Sequence, residues 1–317
     1  MLTVERMCRL ADVSRASYYR HWEEVLPDEA EMAVRAAIQE VVLAHHRRYG
    51  YRRVTKDLHR RGMIFNHKRV LRIMREDNLL AIRYRKYILT TDSRHDCQVY
   101  VNLAARLTLT GINQLWVADI TYIRLRTEFV YLAVVIDRFS RKTIGWSLDR
   151  TLAARVAVAA LQQALERRQP PPGVVIHSDQ GIQYACTEYN DVAKAHQMIP
   201  SMSRPANPYD NAACESFMKT LKQEEIYCNQ YRDFEELSAH LEEFLENYYN
   251  RLRLHSALGY RTPEEFERDA AVAAESSTTH DAAVMKYFMP KEPEKSMSGS
   301  PDPTAPVRGY EMPISSP

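Results

Sequence analysis

The sequence predicts an α/β body built on a mixed sheet with helices on both faces, preceded by an all-α, basic helix-turn-helix region. Three observations predict it. The runs "QLWVADITYIR", "FVYLAVVIDRFS" and "KTIGWSLD" are consecutive β-type segments separated by short polar breaks. A helical segment at 152–168, a "PPPG" stop and the strand "VVIHSD" follow, so strands and helices alternate from there on. Upstream of residue 86 the apolar residues recur at helical spacing and the charge is mostly positive. With 317 residues, 45% of them hydrophobic, the chain can form two domains with packed cores.

Taken in order, "VERMCRL" and "RASYYRHW" flank "ADVS" and predict a helical hairpin over 1–26, of which a helix-turn-helix is one form; Ser14 is its N-cap. Residues 27–86 form the basic unit. "AEMAVRAAIQEVVLAHH" places Val34, Ile38, Val41 and Val42 on one helix face. "YGYRRVTKDLHRRG" is a second helix, closed by Gly62. "FNHKRVLRIMREDNL" is a third, capped by Asn66, with Val70, Ile73 and Met74 on its apolar side. Lys68, Arg69, Arg72 and Arg75 lie on or beside the opposite side, where a helix presents cations to phosphates while its other face packs. This unit reads as winged-helix-like or helix-turn-helix. A linker covers 87–110, and the α/β body covers 111–270.

Within that body a helix around 187–196, a strand at "MIPSM", the loop "SRPANPYDN" and a helix from about Ala212 to Glu225 come next. A long amphipathic helix at about 233–252 completes it. Three strands, a helix, a strand, a helix, a strand and further helices is the order of a ribonuclease-H-like fold. Residues 271–317 are a tail expected to be flexible: seven of the fifteen prolines fall at or after Pro290, among Ser, Gly, Lys and Glu.

Composition narrows the function classes. No apolar run approaches the roughly 20 residues of a membrane span, and the N-terminus has no signal-peptide core. Five scattered cysteines without a CxxC pair argue against a zinc site or a disulfide framework and predict a reducing, cytoplasmic setting. The net charge of +2 hides an asymmetry: fourteen Lys/Arg stand against three Asp/Glu between His45 and Lys86, while the rest of the chain is acidic. A polyanion-binding module beside a differently charged body follows. Arg52 and Arg53 belong to that basic block as DNA contacts.

The body carries its chemistry in carboxylates. Asp119 lies inside the first strand run, where a charge must break the core or face a site. Asp179 ends the fourth strand, and Glu215 begins a helix in "NAACESFMKTLKQE". Two acids from neighbouring strands and one from a helix supply hard oxygen ligands for Mg²⁺, with Mn²⁺ as a substitute. A pair of such ions suits in-line displacement at phosphorus.

Thirty-five residues separate Asp179 from Glu215, the DD(35)E pattern of retroviral-type integrases and insertion-sequence transposases. "NQLWVADITYI", "YLAVVIDRFSRKTIGW", "IHSDQGIQY", "SMSRPANPYDNAACESFMKTLKQE" and "YYNRLRLHSALGYRTPEEF" together resemble the orfB-type transposases of insertion-sequence family three. "YGYRRVTKDLHRRGMIFNHKRVLRIMREDNLL" resembles that family's helix-turn-helix region, and the resemblance spans about residues 30–268. It implies that Asp119, Asp179 and Glu215 are the catalytic, metal-binding triad and that Lys222 contacts DNA near the reacting phosphate. Lys219 shares that helix side by its i, i+4, i+7 spacing. The resemblance further implies a recombinase that cleaves insertion-sequence ends and transfers 3′-hydroxyls to target DNA, as a homo-oligomer in the bacterial nucleoid. An orfA-type partner or fusion is part of that system. Ala206 departs from the family, which usually has Gly there.

Other polar residues have quieter readings. Asp137 is expected to pair near Arg138 or Arg141 at a strand end, and Glu224 and Glu225 to face solvent. His177 either assists proton transfer or makes strand-end hydrogen bonds. Asn207 and Asp210 either orient the loop or cap the next helix, and Asn211 is expected to cap it. Arg251, Arg253 and His255 either touch DNA or brace the last helices. Two rivals to the recombinase remain: a hydrolytic nuclease of the same fold, and a DNA-binding regulator or domesticated remnant with an idle core.

Overall fold

The computed structural model describes residues 3–20, 29–81, 100–204 and 211–273. Two short helices open it, α1 (Val4–Leu10) and α2 (Arg15–Arg20), with the Ser14 hydroxyl accepting from the Ser17 amide at 3.0 Å. Three helices follow: α3 (Glu29–Ala44), α4 (Tyr51–Arg60) and α5 (His67–Glu76). Val34, Ile38, Val54, Leu58, Val70, Ile73 and Met74 bury their common core, as the helical spacing predicts. Asn66 caps α5 by accepting from the Lys68 amide, and Gly62 leaves α4 with a φ of +82° that favours glycine. Described residues 29–81 contain no strand, so this unit is helix-turn-helix without a wing in that range.

The sheet has the strand order β3-β2-β1-β4-β5. β1 (Leu115–Arg124), β2 (Phe129–Asp137) and β3 (Thr143–Asp149) form an antiparallel meander. β4 (Val175–Ser178) adds parallel to β1, and β5 (Ile199–Met202) parallel to β4. The crossover from β3 to β4 is α6 (Ala154–Arg168); α7 (Ile182–Ala185) and α8 (Thr187–Ala195) lead from β4 to β5. α6 lies so close on β3 that a Cβ at Gly145 would meet the Ala160 carbonyl oxygen at 2.2 Å.

Strand alternation splits the sheet between two cores. Trp116, Ala118, Ala133 and Val135 pack with α6 and α8. Leu115, Val117, Leu132 and Val134 pack on the other face against α9 (Ala212–Leu221) and α10 (Phe234–Glu242). Both of these helices run on with π-type winding, over Lys222–Ile226 and Glu243–Leu252. The same core continues into α3, α4 and α5. Tyr49 clips that junction: its hydroxyl donates to the Leu252 carbonyl at 3.1 Å and accepts from the Leu254 amide at 2.9 Å. The basic unit is thus packed onto the α/β body rather than strung from it.

The expected flexibility of the tail, the role of Ala206 and those of Asn207 and Asp210 lie outside the described residues, as does most of the 87–110 linker.

Candidate active site

Parity aims Asp119. It follows Leu115 and Val117 on the sheet face that α9 covers, so the strand that builds the core also delivers a carboxylate beneath that helix. On the parallel neighbour, Val117 pairs with His177. Continued by two residues, that register sets Asp179 beside Asp119 at the carboxyl end of β4, where open α/β sheets place their sites. The turn holds Asp179 through the Gly181 amide, which donates to its carboxylate at 2.9 Å. Asp119 accepts from the Ile120 amide at 2.9 Å.

Electrostatics report the crowding. Burial, then the neighbouring Asp179 charge, push the Asp119 carboxyl up to about 7, and Glu215 adds to the push. The Ile120 amide and the Lys222 charge pull the other way. Lys222 itself is half-buried, its ammonium 5.3 Å from the centre of the Tyr122 ring. Burial lowers its pKa and Asp119 counters that effect. The π-type turn starts at Lys222, a winding found often at functional sites.

Glu215 sits in the first turn of α9 and is exposed to solvent. Among the described residues no three His, Cys, Asp or Glu side chains close into a metal-holding group. Asp119 and Asp179 are brought together and Glu215 stands within electrostatic reach of Asp119. Carboxylate oxygens are nonetheless the donors that hard divalent cations prefer, and a carboxyl lifted by burial and then by its acidic neighbours is one a cation would favour. Lys219 lies exposed on α9, on the flank that faces α4.

Several expectations need correction. Glu224 and Glu225 do not face solvent. Glu225 is 1% exposed and pairs with Arg48 at 2.5 Å. Glu224 accepts from Arg253 at 2.7 and 2.8 Å and from Arg53 at 3.2 Å. The π-type segment carries both acids, and Arg48, Arg53 and Arg253 converge on them. Arg253 therefore braces the fold, and His255, pushed down to about 2 by burial and then by Arg253, stays neutral beside it. Arg251 is exposed and reaches Glu264 at 3.4 Å.

Asp137 is structural and fully buried, but its carboxylate accepts from the Asn113, Phe139 and Ser140 amides rather than from a side chain of Arg138 or Arg141. Asn211 holds the N-cap position of α9 without a side-chain cap bond, its Oδ1 buried and without a partner among the described residues. His177 takes the hydrogen-bonding role, with Ser201 at 2.9 Å and Ser203 at 3.0 Å.

In the basic unit Arg69 and Arg72 pair with Glu31 of α3 at 2.8 and 3.0 Å, and Arg72 also with Glu76. Lys68, Arg75 and Arg52 are exposed and have no carboxylate partner among the described residues. Sequence reasoning missed Tyr122 beneath Lys222 and Arg48 at the junction. Neither carries a signal of its own: one is an aromatic in an aromatic-rich strand, the other a cation in a basic block.

A β-meander extended by two parallel strands, with acids at adjoining strands and on the helix that follows, defines the integrase-core class of ribonuclease-H-like folds. Family models for the integrase core domain match residues 110–208 and 196–263, and one for an HTH-like domain matches 29–87. The chain is 37% identical over 270 residues to transposase InsF for insertion sequence IS3A of Escherichia coli (strain K12), covering 84% of this chain and 94% of that protein. It is 36% identical over 241 residues to the transposase for insertion sequence element IS904 of Lactococcus lactis subsp. lactis (strain IL1403), covering 73% and 92%. Among solved structures it is similar to the HTLV-2 integrase catalytic core domain in complex with magnesium (dimeric form), at 18% identity, 50% and 97% coverage and a TM-score of 0.37. The chain belongs to the insertion-sequence transposase family.

Proposed function

We propose that this transposase cleaves the DNA ends of its insertion sequence and joins their 3′-hydroxyls to target phosphodiesters. The observation that carries this reading is the placement of Asp119 and Asp179 together on adjoining strands, under the helix that bears Glu215, with Lys222 against Asp119. Asp119, Asp179 and Glu215 would hold divalent ions, Mg²⁺ or Mn²⁺, which activate the attacking oxygen and neutralise the leaving one. Lys222 supplies a cation beside the carboxylates for the scissile phosphate, and the Tyr122 ring steadies its ammonium. Lys219 and Arg52 offer further charge along α9 and α4, while Arg53 is largely engaged by Glu224. On the helix-turn-helix unit, Lys68 and Arg75 are free to meet phosphates; Arg69 and Arg72 would first have to leave Glu31.

We further infer a homo-oligomer on DNA, with an orfA-type partner or fusion, acting at the nucleoid in the bacterial cytoplasm. Among the described residues no helix is long and apolar enough to cross a membrane.

The test is a gel assay with labelled duplexes that carry the element's own ends. Wild type should yield joined products, and Asp179→Asn should lose them while still binding DNA, because metal electrostatics and positioning supply most of phosphoryl-transfer catalysis. Shortened products alone would mark a hydrolytic nuclease, and bound complexes alone a regulator with an idle core. Either outcome from the wild-type protein would overturn the recombinase reading.

A further inference from the structure

Two concavities adjoin, and the larger reaches the helix that carries Glu215. The larger, about 900 Å³, lies between α4 and α9 with its π-type continuation. The smaller, about 430 Å³, lies between α4 and the start of α5. Arg52 and Tyr260 line both, so the two form one track from Lys219 on α9 to His67 on α5.

The charge in this track is available. Glu224, Glu225 and Glu243 line the larger concavity; Arg48, Arg53 and Arg253 already occupy the first two, and Glu243 is exposed and accepts from Asn247. Lys219, Arg52 and Lys56 are exposed and have no carboxylate partner among the described residues. Aromatic rings alternate with these cations. The Arg52 guanidinium lies 5.6 Å from the Tyr51 ring centre and the Lys56 ammonium 5.7 Å from that of Tyr260. Tyr51 and His67 stack with centroids 6.1 Å apart.

We propose that this track binds an unpaired stretch of DNA, the single-stranded flank of a duplex end engaged at Asp119 and Asp179. The inference rests on the DNA-transacting reading above and adds the strand state of the substrate. Cations interleaved with rings suit a strand whose phosphates meet charge and whose bases stack without sequence preference. A base stacks on a side chain only when it is free of its own duplex stack. Concavities of about 900 and 430 Å³ are of the size that takes small-molecule-sized groups, such as individual nucleotides. Location supports the assignment too, since Lys219 lies one helical turn beyond Glu215 on the same helix.

Fluorescence anisotropy on the full chain tests it, with a blunt mixed-sequence duplex, the same duplex carrying an overhang of roughly ten thymidines, and a thymidine oligomer of that length. The overhang should tighten binding at least about fivefold, a modest return for one stacked base. Tyr260→Leu keeps apolar bulk but removes the ring, and should abolish that advantage. Lys56→Gln alters an exposed side chain, so it tests the track without risk to the core. It should lower the logarithmic salt slope for the oligomer by about 0.7, the value for one single-strand phosphate. Blunt-duplex affinity should not move in either variant. Equal wild-type affinity for blunt and overhanging duplexes overturns the track alone. So does a parallel loss on both probes in Lys56→Gln. Failure of every DNA probe to bind wild type would instead strike the DNA-transacting reading itself.

Discussion

Replacing Glu224 by Gln should destabilise the body by about 3–5 kcal/mol, the usual cost of removing one partner from a buried ion pair. The magnitude follows from the surroundings of Glu224. Its side chain is 11% exposed, that of Arg253 is 4%, and the two share hydrogen bonds of 2.7 and 2.8 Å. Arg53 adds a third contact at 3.2 Å. Gln conserves shape and can still accept one bond, but it leaves the Arg253 and Arg53 guanidiniums without their carboxylate. Burial opposes the charge on Glu224, yet Arg253, followed by Arg53 and Arg48, outweighs it and holds the carboxyl below its ordinary value. A carboxyl depressed by folding stabilises fully above its unfolded pKa of about 4.3 and loses that contribution as pH falls through the folded value. Urea unfolding followed by circular dichroism, at pH 7 and then in steps below pH 4.5, measures both effects. Glu224→Gln should shift the urea midpoint strongly at neutral pH and flatten the acid limb. Arg251→Ala, which breaks an exposed ion pair and an exposed hydrogen bond to Asn247, is the control and should cost less than about 1 kcal/mol. A neutral-pH loss below about 1 kcal/mol in Glu224→Gln, with the acid limb intact, would refute the claim that this cluster holds the basic unit to the body.

The other perturbations separate scaffold from chemistry. Gly145→Ala should cost at least about 1–3 kcal/mol by forcing α6 off β3, read as a lowered melting temperature, with near-neutral stability refuting the close approach. Lys222→Ala leaves the carboxylates in place and should impair strand joining more than overall DNA binding, measured side by side in a gel and by anisotropy; wild-type joining would remove the lysine's role. Lys68→Gln and Arg75→Gln together should reduce the logarithmic salt slope for duplex DNA by about 1.8, at 0.9 per phosphate contact. Arg69→Gln should lower the slope less, because Glu31 already neutralises that guanidinium, and an equal effect at both sites would show that the pair opens on binding.

Local pattern determined much of this protein. Helical spacing marked the three helices of the basic unit, and Asn66 and Gly62 marked ends that the structure keeps. Alternation along β1 set Asp119 apart from its apolar neighbours before any pairing was known, because a strand's side-chain period is fixed by the backbone itself. The spacing from Asp179 to Glu215 completed an acid pattern that composition alone does not reveal. What tertiary structure alone decided was which charges find partners. In the sequence Glu224 and Glu225 read as solvent-facing and Arg53 and Arg69 as DNA contacts, yet each meets an opposite charge from a segment tens to nearly two hundred positions away. The π-type segment that starts at Lys222 carries the two glutamates of that cluster, and nothing in the local spacing signals the extra residue in its turn. The backbone amides around Asp137 converge because two chain segments meet at a strand end, a coincidence in space rather than in sequence. Periodicity is a property of neighbours along the chain, whereas charge pairing depends on distances that only packing fixes.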